Sequence, residues 1–279
     1  MKLIADSGAT KATWCLTDGK THRYLETKGI SPYYLDAVQI QALLQTELLP
    51  QLENAAVSSI YYYGTGCSQP ENANLVQGIL KKVFPKARVT VDTDLTAAAK
   101  ALCGHEKGVA CILGTGSNSC VFNGKKIMKN NPAPGFILGD EGSGAYLGKK
   151  VLQHFIYHTF DADMLERFQQ QFQTDYNTIL QRVYKDPLPN RYLASFTTFL
   201  SANRGHYMIE NIIEDGLTDF FFTHLYKYTE TWTQPVHFTG SIAWHFRDTL
   251  ANICQSLELQ LGPIVQAPIE GLVSYHNSQ

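Results

Sequence analysis

A chain of 279 residues is long enough for two cores of ordinary size, which excludes a peptide-sized scaffold. With 44% hydrophobic and 17% charged residues and a mean hydropathy of -0.17, it lies far from the composition of disordered chains. A net charge of -2, from 23 basic and 25 acidic residues, supplies no field to gather phosphate backbones or anionic lipid, so neither nucleic acid nor a membrane is an expected partner.

Lys2 to Ala5 reads as a short apolar strand running into Asp6-Ser-Gly-Ala-Thr-Lys11, and the apolar Ala12 to Leu16 follows at once, which predicts two strands joined by a tight turn. A turn at Thr17-Asp-Gly-Lys20 leads into a strand over His22 to Thr27. Leu35, Val38, Leu43 and Leu44 fall at helical spacing within a helix predicted from Leu35 to Leu49. Ser58 to Tyr63 is a strand broken by Gly64-Thr-Gly-Cys-Ser68; Asn72 to Phe84 is a helix, Ala87 to Val91 a strand, and Asp94 opens an alanine-rich helix to Leu102. From Gly108 the pattern starts over: a strand at Val109 to Leu113, a turn at Gly114-Thr-Gly-Ser117, strands at Ser119 to Phe122 and from Ile127, and a hairpin turn at Asn123-Gly-Lys125 between them. The strand-turn of Tyr62-Tyr-Gly-Thr65 recurs at Val236-His-Phe-Thr-Gly240, followed by a helix over Ile242 to Cys254, a strand at Glu258 to Leu261 and a short helix near Glu270.

The repeat places a domain boundary at Cys103 to Gly108, giving an N-terminal domain over 1-105 and a C-terminal domain over 106-279. The second copy carries extra residues, about Asp140 to Gln234, expected to be a mostly helical insertion. Six scattered cysteines without a C-x-x-C pair fit a reducing compartment better than a disulfide frame or metal cluster. No secretion signal or membrane-length apolar run is visible, which predicts a cytoplasmic protein.

Two β-turn-β units rich in Gly, Thr and Ser are the chief chemical signal, because such turns expose backbone N–H groups and hydroxyls to a phosphate. Either turn alone is explained by the glycine a tight hairpin needs; the pair, at the same place in two repeated halves, is the stronger observation. Gly144-Ala-Tyr-Leu-Gly-Lys149 departs from the G-x-x-x-x-G-K fingerprint and reads as helix. His154 and His158, four residues apart, lack a third ligand and read as part of an ordinary amphipathic helix. Phe220-Phe-Phe222 and Tyr226 read as core or a subunit contact.

Four motifs carry a resemblance that spans nearly the whole chain: Asp6-Ser-Gly-Ala-Thr-Lys11, Ile112-Leu-Gly-Thr-Gly-Ser-Asn118, Gly139-Asp-Glu-Gly-Ser143 and Phe238-Thr-Gly-Ser-Ile242. They are similar to the first phosphate, second phosphate, sugar-site and adenosine motifs of the actin, heat-shock ATPase and sugar kinase superfamily. The branch they resemble holds the N-acetylglucosamine kinases and the activator ATPases of benzoyl-CoA reductases and hydroxyacyl-CoA dehydratases. The resemblance implies an α/β fold of two ribonuclease-H-like, actin-like ATPase domains that close around a cleft, with ATP and magnesium held between the phosphate hairpins.

By that resemblance the nucleotide-binding residues are Asp6, Gly8, Thr10, Lys11, Gly114, Thr115, Gly116, Gly240 and Ser241, and Asp6 positions magnesium through water. For Lys11 a solvated hairpin lysine remains the alternative, and for Asp6 an Asx-turn role. Asp94 is implied as the general base that takes the proton of the sugar hydroxyl; locally an N-cap role also suffices, and Asp92 is the nearby competitor. The implied sugar-binding residues are Ser117, Asn118, Gly135, Asp140 and Ser31. Asp140 and Glu141 are too close in sequence to be the facing carboxylates of a glycosidase, and helix capping by Asp140 is the alternative. His245 and Arg247 lie near the adenosine motif.

The chain departs from the sugar kinase pattern at Ala133-Pro-Gly-Phe136, where Gly-Trp-Gly-His is usual, and at Ser31, where an asparagine is usual. Both changes fall in the implied sugar pocket. No cysteine stands in the cluster-binding pattern of the activator ATPases. The expected function is therefore an ATP-dependent sugar kinase acting on an amino sugar such as N-acetylglucosamine, with a second copy in a homodimer as a further partner. An ATPase that energises a partner protein and a non-catalytic nucleotide or sugar sensor are the alternatives.

Overall fold

The computed structural model describes residues 1–8 and 10–278, and their contacts divide the chain into two units. Unit 1 comprises Met1–Glu106, Gly124–Lys126 and the segment from Ala267 onward; unit 2 comprises Lys107–Asn123 and Ile127–Gln266. The chain begins with β1 (Lys2–Ser7), β2 (Lys11–Thr17), β3 (His22–Lys28), α1 (Ala37–Leu43), α2 (Leu49–Leu52), β4 (Ser59–Gly64), α3 (Pro70–Val83), β5 (Arg88–Thr93) and α4 (Asp94–Cys103). There follow β6 (Lys107–Leu113), β7 (Ser117–Asn123), β8 (Ile127–Asn130), α5 (Gly144–Ile156), α6 (Ala162–Phe172), α7 (Tyr176–Tyr184), α8 (Pro189–Ser195), α9 (Thr197–Ala202) and α10 (Tyr207–Thr223). The last elements are β9 (Val236–Thr239), α11 (Ser241–His245), α12 (Arg247–Ser256), β10 (Leu261–Val265) and α13 (Ile269–Asn277).

Each unit builds one five-stranded mixed sheet, and the two sheets have the same topology. The order is β3-β2-β1-β4-β5 in unit 1 and, read the same way, β8-β7-β6-β9-β10 in unit 2. The first three strands of each unit pair antiparallel, as short turns allow, and the last two run parallel to the first. Parallel neighbours require a crossover, which α3 supplies between β4 and β5, and α11 with α12 between β9 and β10. The central strand β1 is buried along most of its length, whereas the edge strand β3 alternates exposed and covered residues. The duplicated architecture expected from the sequence is thus realised strand for strand.

In unit 1 Trp14 and Tyr62 pack with ring centroids 5.9 Å apart, and the Trp14 indole N–H donates to Thr27 Oγ1 at 3.0 Å, so the buried donor is satisfied. The unit 2 core is richer in phenylalanine: Phe160, Phe168, Phe196 and Phe199 form one group, and Phe220 and Phe221 pack on Phe238. All six cysteines are buried. Among the described residues no helix is long and apolar enough to cross a membrane.

Three expectations are corrected. The helix read from Leu35 to Leu49 begins only after Asp36, which forms a capping box with Gln39, and it passes through a π-helical turn at Leu44–Leu48. Pro50 follows that turn; it has no N–H and its ring crowds the carbonyl four residues back, which is the reason for the local widening. The strand read at Glu258 to Leu261 lies further along, because Glu258 sits at φ 56° in a turn and β10 starts only at Leu261. The closing helix α13, expected with the C-terminal half, belongs to unit 1. It packs on α4, β1 and β2, with Ile269, Leu272 and Val273 in a cluster that includes Ile4, Cys15, Tyr63 and Ala97.

Candidate functional site

In unit 1 the parallel strands β1, β4 and β5 end side by side, the edge at which open α/β sheets bind ligands. Asp6 stands opposite Tyr63, and Tyr63 opposite Asp92; one residue further, Ser7, Gly64 and Thr93 are in register. Thr93 caps α4, its hydroxyl accepting from the Thr96 N–H at 3.1 Å. Asp94 is therefore the first helical residue and not the cap, which removes the local alternative for it. Its Oδ1 accepts from the Leu95 N–H at 2.8 Å. The competitor Asp92 is engaged elsewhere: Oδ1 accepts from the Thr93 N–H and the Thr96 hydroxyl, both at 2.8 Å, and Oδ2 lies 4.0 Å from Lys100 Nζ.

Burial raises the Asp94 pKa, opposed by hydrogen bonds from the Leu95 N–H and the Thr65 hydroxyl. Asp6 is pushed up to about 7, first by burial and then by the charge of Asp94. Two partly desolvated carboxylates, Asp6 on β1 and Asp94 just past the end of β5, are a costly arrangement in the absence of a cation or a proton, and perturbed acids of this kind mark functional sites. Thr65 was not singled out in the sequence, although Gly64-Thr-Gly66 repeats the tripeptide Gly114-Thr-Gly116. Its N–H donates to the Ser7 carbonyl at 3.0 Å, which ties the end of β4 to the end of β1.

The first hairpin closes through the Gly8 N–H donating to the Lys11 carbonyl at 3.0 Å, while the Thr10 carbonyl accepts from the Gly29 N–H at 2.8 Å. Gly8 and Thr10 are exposed; Ala9, inside the same motif, lies outside the described residues. Lys11 is ion-paired with Glu26 across the sheet. Ser31 is buried in the loop after β3, and its carbonyl accepts from the Tyr34 and Leu35 N–H groups, each at 3.0 Å.

Unit 2 repeats the arrangement at the ends of β6 and β9. The second hairpin closes through the Gly114 N–H donating to the Gly116 carbonyl at 3.0 Å. The carbonyls of Gly114 and Thr115 accept from the Gly144 and Ala145 N–H groups at 2.8 and 3.0 Å, which fastens the hairpin to the start of α5. Gly240, at φ 117°, brings the turn after β9 against the Leu113 carbonyl, where any side chain would collide. Ser241 follows it, exposed, as the first residue of α11. His245 and Arg247 are exposed too, and Arg247 lies over the Trp244 ring at 4.7 Å.

Asp140 is buried and adopts φ 59°, uncommon outside glycine. Its carboxylate accepts from the Ser117 N–H at 3.3 Å and abuts Gly116, where an added Cβ would approach Oδ2 to 3.0 Å. Burial holds its pKa above the usual carboxylate range. Ser143, not Asp140, caps α5. The hydroxyl oxygen of Ser117 is buried without a hydrogen-bond partner among the described residues. Asn118 Oδ1 accepts from Asn130 Nδ2 at 2.8 Å, and Gly135, at φ 84°, accepts from the Leu138 and Gly139 N–H groups at 3.2 and 2.8 Å. His154 contacts Thr159 Oγ1 at 2.7 Å, while His158 falls beyond the end of α5 at φ 54°, so the two do not share a helix face. Within unit 2, then, Gly114, Thr115, Gly116, Ser117, Asp140 and Gly240 come together around one hairpin.

No protein-family model and no curated protein matches the chain. Among solved structures, a Porphyromonas gingivalis protein provisionally assigned as an N-acetylglucosamine kinase is similar at 36% identity and a TM-score of 0.96, over 100% of this chain and 99% of its own. A Chromobacterium violaceum protein with the same provisional assignment matches at 15% identity and a TM-score of 0.75, over 98% of each chain. A ROK family glucokinase from Streptomyces griseus, solved with glucose and AMPPNP, matches at 12% identity and a TM-score of 0.55, over 98% of this chain and 97% of its own. The last two are likenesses of fold alone.

Proposed function

The chain belongs to the N-acetylglucosamine kinase branch of the actin, heat-shock ATPase and sugar kinase superfamily, and from that premise we propose that it is an ATP-dependent sugar kinase whose acceptor is an amino sugar, with N-acetylglucosamine foremost. The observation that carries the reading is Asp94, desolvated at the end of β5, oriented by Thr65 and the Leu95 N–H, and no longer needed as a helix cap. A carboxylate whose pKa is raised is a better proton acceptor than an exposed one, and in this reading it takes the proton of an acceptor hydroxyl attacking the γ-phosphorus of ATP. General-base assistance of this kind contributes about 10²- to 10⁴-fold.

The first hairpin, with Gly8 and Thr10, and the second, with Gly114, Thr115 and Gly116, are the phosphate-binding elements of this reading; Gly240 and Ser241 border the adenosine. Lys11 enters it as a charge that must exchange Glu26 for phosphate. Asp140, Ser117 and Asn118 supply acceptors and donors suited to a polyol, with the buried Ser117 hydroxyl as the group most in want of a partner. Ser31 and Gly135 frame the acceptor in the same reading.

Magnesium fits the residues present. Asp6 is a half-buried carboxylate whose pKa is pushed up to about 7 by desolvation and a second carboxylate. Among the described residues no three His, Cys, Asp or Glu side chains gather as a metal cage. A single carboxylate acting through water, with the nucleotide's phosphates as the other ligands, is the mode magnesium favours. When bound, the ion neutralises phosphate charge. Asp6 would hold it, and Asp94 would remain the group that accepts the proton.

The test is ADP release from ATP and magnesium with and without a panel of hexoses and amino sugars. Release that depends on an amino sugar supports the reading. Release independent of sugar would make the protein an ATPase, and none at all would leave a sensor.

A further inference from the structure

The Gly139-Asp-Glu-Gly142 loop of unit 2 carries two carboxylates, of which the kinase reading uses only Asp140. Glu141 faces inward. Its Oε2 lies 3.6 Å from Nε2 of His224, the residue that ends α10, and both atoms are buried without a hydrogen-bond partner among the described residues. Nδ1 of His224 lies 3.4 Å from Ser119 Oγ, which is 3.0 Å from Tyr228 Oη. Tyr228 Oη accepts from the Asn131 N–H at 2.7 Å, and its one proton is shared between Ser119 Oγ and the Ser119 carbonyl, 3.1 Å away; Asn131 Nδ2 donates to the His224 carbonyl at 2.6 Å. The His224 ring stacks on Phe220, whose Cβ fills the space beside Gly142.

A carboxylate oxygen accepts, so with Nε2 of His224 facing Glu141 Oε2 across 3.6 Å the matching tautomer carries its proton on Nε2, and Nδ1 is left to accept from the Ser119 hydroxyl. Burial holds His224 below the ordinary histidine range, with Glu141 opposing. The network orients the imidazole, and the imidazole faces Glu141. This matters for its neighbour. A non-glycine residue in the left-handed region is strained and persists only where the surroundings hold it. Asp140 is held on one side by the Ser143 N–H on its carbonyl at 3.0 Å and the Ser117 N–H on its carboxylate. On the other side Glu141 is turned inward, its Oε2 facing His224 Nε2 at 3.6 Å.

We propose that His224 is a positioning residue for acceptor recognition: acting through Glu141, it locks the loop in the turn that presents the Asp140 carboxylate to a polyol. The proposal rests on the kinase reading.

Steady-state kinetics of the full chain with N-acetylglucosamine and ATP, alongside thermal melts, test it. His224→Phe keeps the stack on Phe220 and removes both nitrogens; His224→Gln keeps an N–H donor for Glu141. The Phe variant is expected to raise the sugar KM about tenfold or more, with the ATP KM within about twofold and kcat at saturating sugar within about threefold. The Gln variant is expected to restore the sugar KM to within about threefold of the native protein. An unchanged sugar KM in the Phe variant, a parallel loss in ATP KM and kcat, or a Gln variant as impaired as the Phe variant overturns the proposal. Should the Phe variant fail to fold, Glu141→Ala, which removes the acceptor that faces His224, decides, with a raised sugar KM expected and an unchanged one fatal. A native protein that releases no ADP in response to any amino sugar refutes the kinase reading itself, and is distinguishable from an active native kinase whose His224 variants behave normally.

Discussion

Replacing Asp94 by asparagine tests the proton-accepting role and its energetic origin together. The change keeps the shape of the side chain and an oxygen for the Leu95 N–H, but abolishes the carboxylate. Loss of a general base lowers kcat by about 10²- to 10⁴-fold, or about 2.7 to 5.4 kcal/mol of barrier. The same change acts in the opposite direction on stability. Asp6 and Asp94 both have folded-state pKa values above the ordinary one, so between about pH 4 and 7 the native state binds more protons than the unfolded chain. Stability therefore falls as pH rises through that window. For Asp6 the rise from 3.8 to about 7 corresponds to a cost of up to about 4 kcal/mol above pH 7. The Asp94→Asn substitution removes one partly desolvated charge and part of the burden on the other, so a rise in Tm of several degrees is expected at pH 8, shrinking to nothing near pH 4. Turnover assays and differential scanning calorimetry at the two pH values read both effects. Turnover within about threefold of the native enzyme, or a melting point at pH 8 below the native one, would refute the reasoning.

Thr65→Val removes a hydrogen bond that lowers the Asp94 pKa, so the acidic limb of the kcat profile should move to higher pH; a limb that stays in place would detach Thr65 from the base. Asp140→Ala should raise the sugar KM about 10- to 100-fold while leaving ATP binding nearly intact, as measured by calorimetric titration of each ligand. Gly240→Ala forces a Cβ against the Leu113 carbonyl at φ 117°, and should cost about 1–3 kcal/mol, seen as a Tm lowered by several degrees.

Much of this molecule was legible because its signals are local. The glycine turns at Gly8 and Gly114 sit between short apolar runs, and a hairpin needs nothing beyond those residues to form. The repeat could be seen for the same reason, since each half restates β-turn-β before its crossover. What escaped depends on contacts distant in sequence. Thr65 owes its role to Ser7 and Asp94, which lie 58 residues before and 29 after it, so its tripeptide reads locally as a strand breaker. The place of α13 could not be read from Ile269 to Asn277 either, because an amphipathic helix does not name the surface it will cover. Glu141 and His224, 83 residues apart, show the same limit. Each carries an ordinary local reading, and only the folded chain sets one against the other.

The membership of α13 in unit 1 has a consequence for how the protein is made. The residues that finish the first unit are translated after the whole of the second, so a nascent chain that has displayed β1 to β5 still lacks the helix that covers Ile4 and Ala97. Vectorial synthesis thus gives unit 2 the earlier opportunity to complete its core, and unit 1 waits with apolar surface uncovered, the situation in which chaperones are engaged. Trimming a dozen residues from the C-terminal end would leave unit 2 intact in sequence and strike the half that carries Asp94.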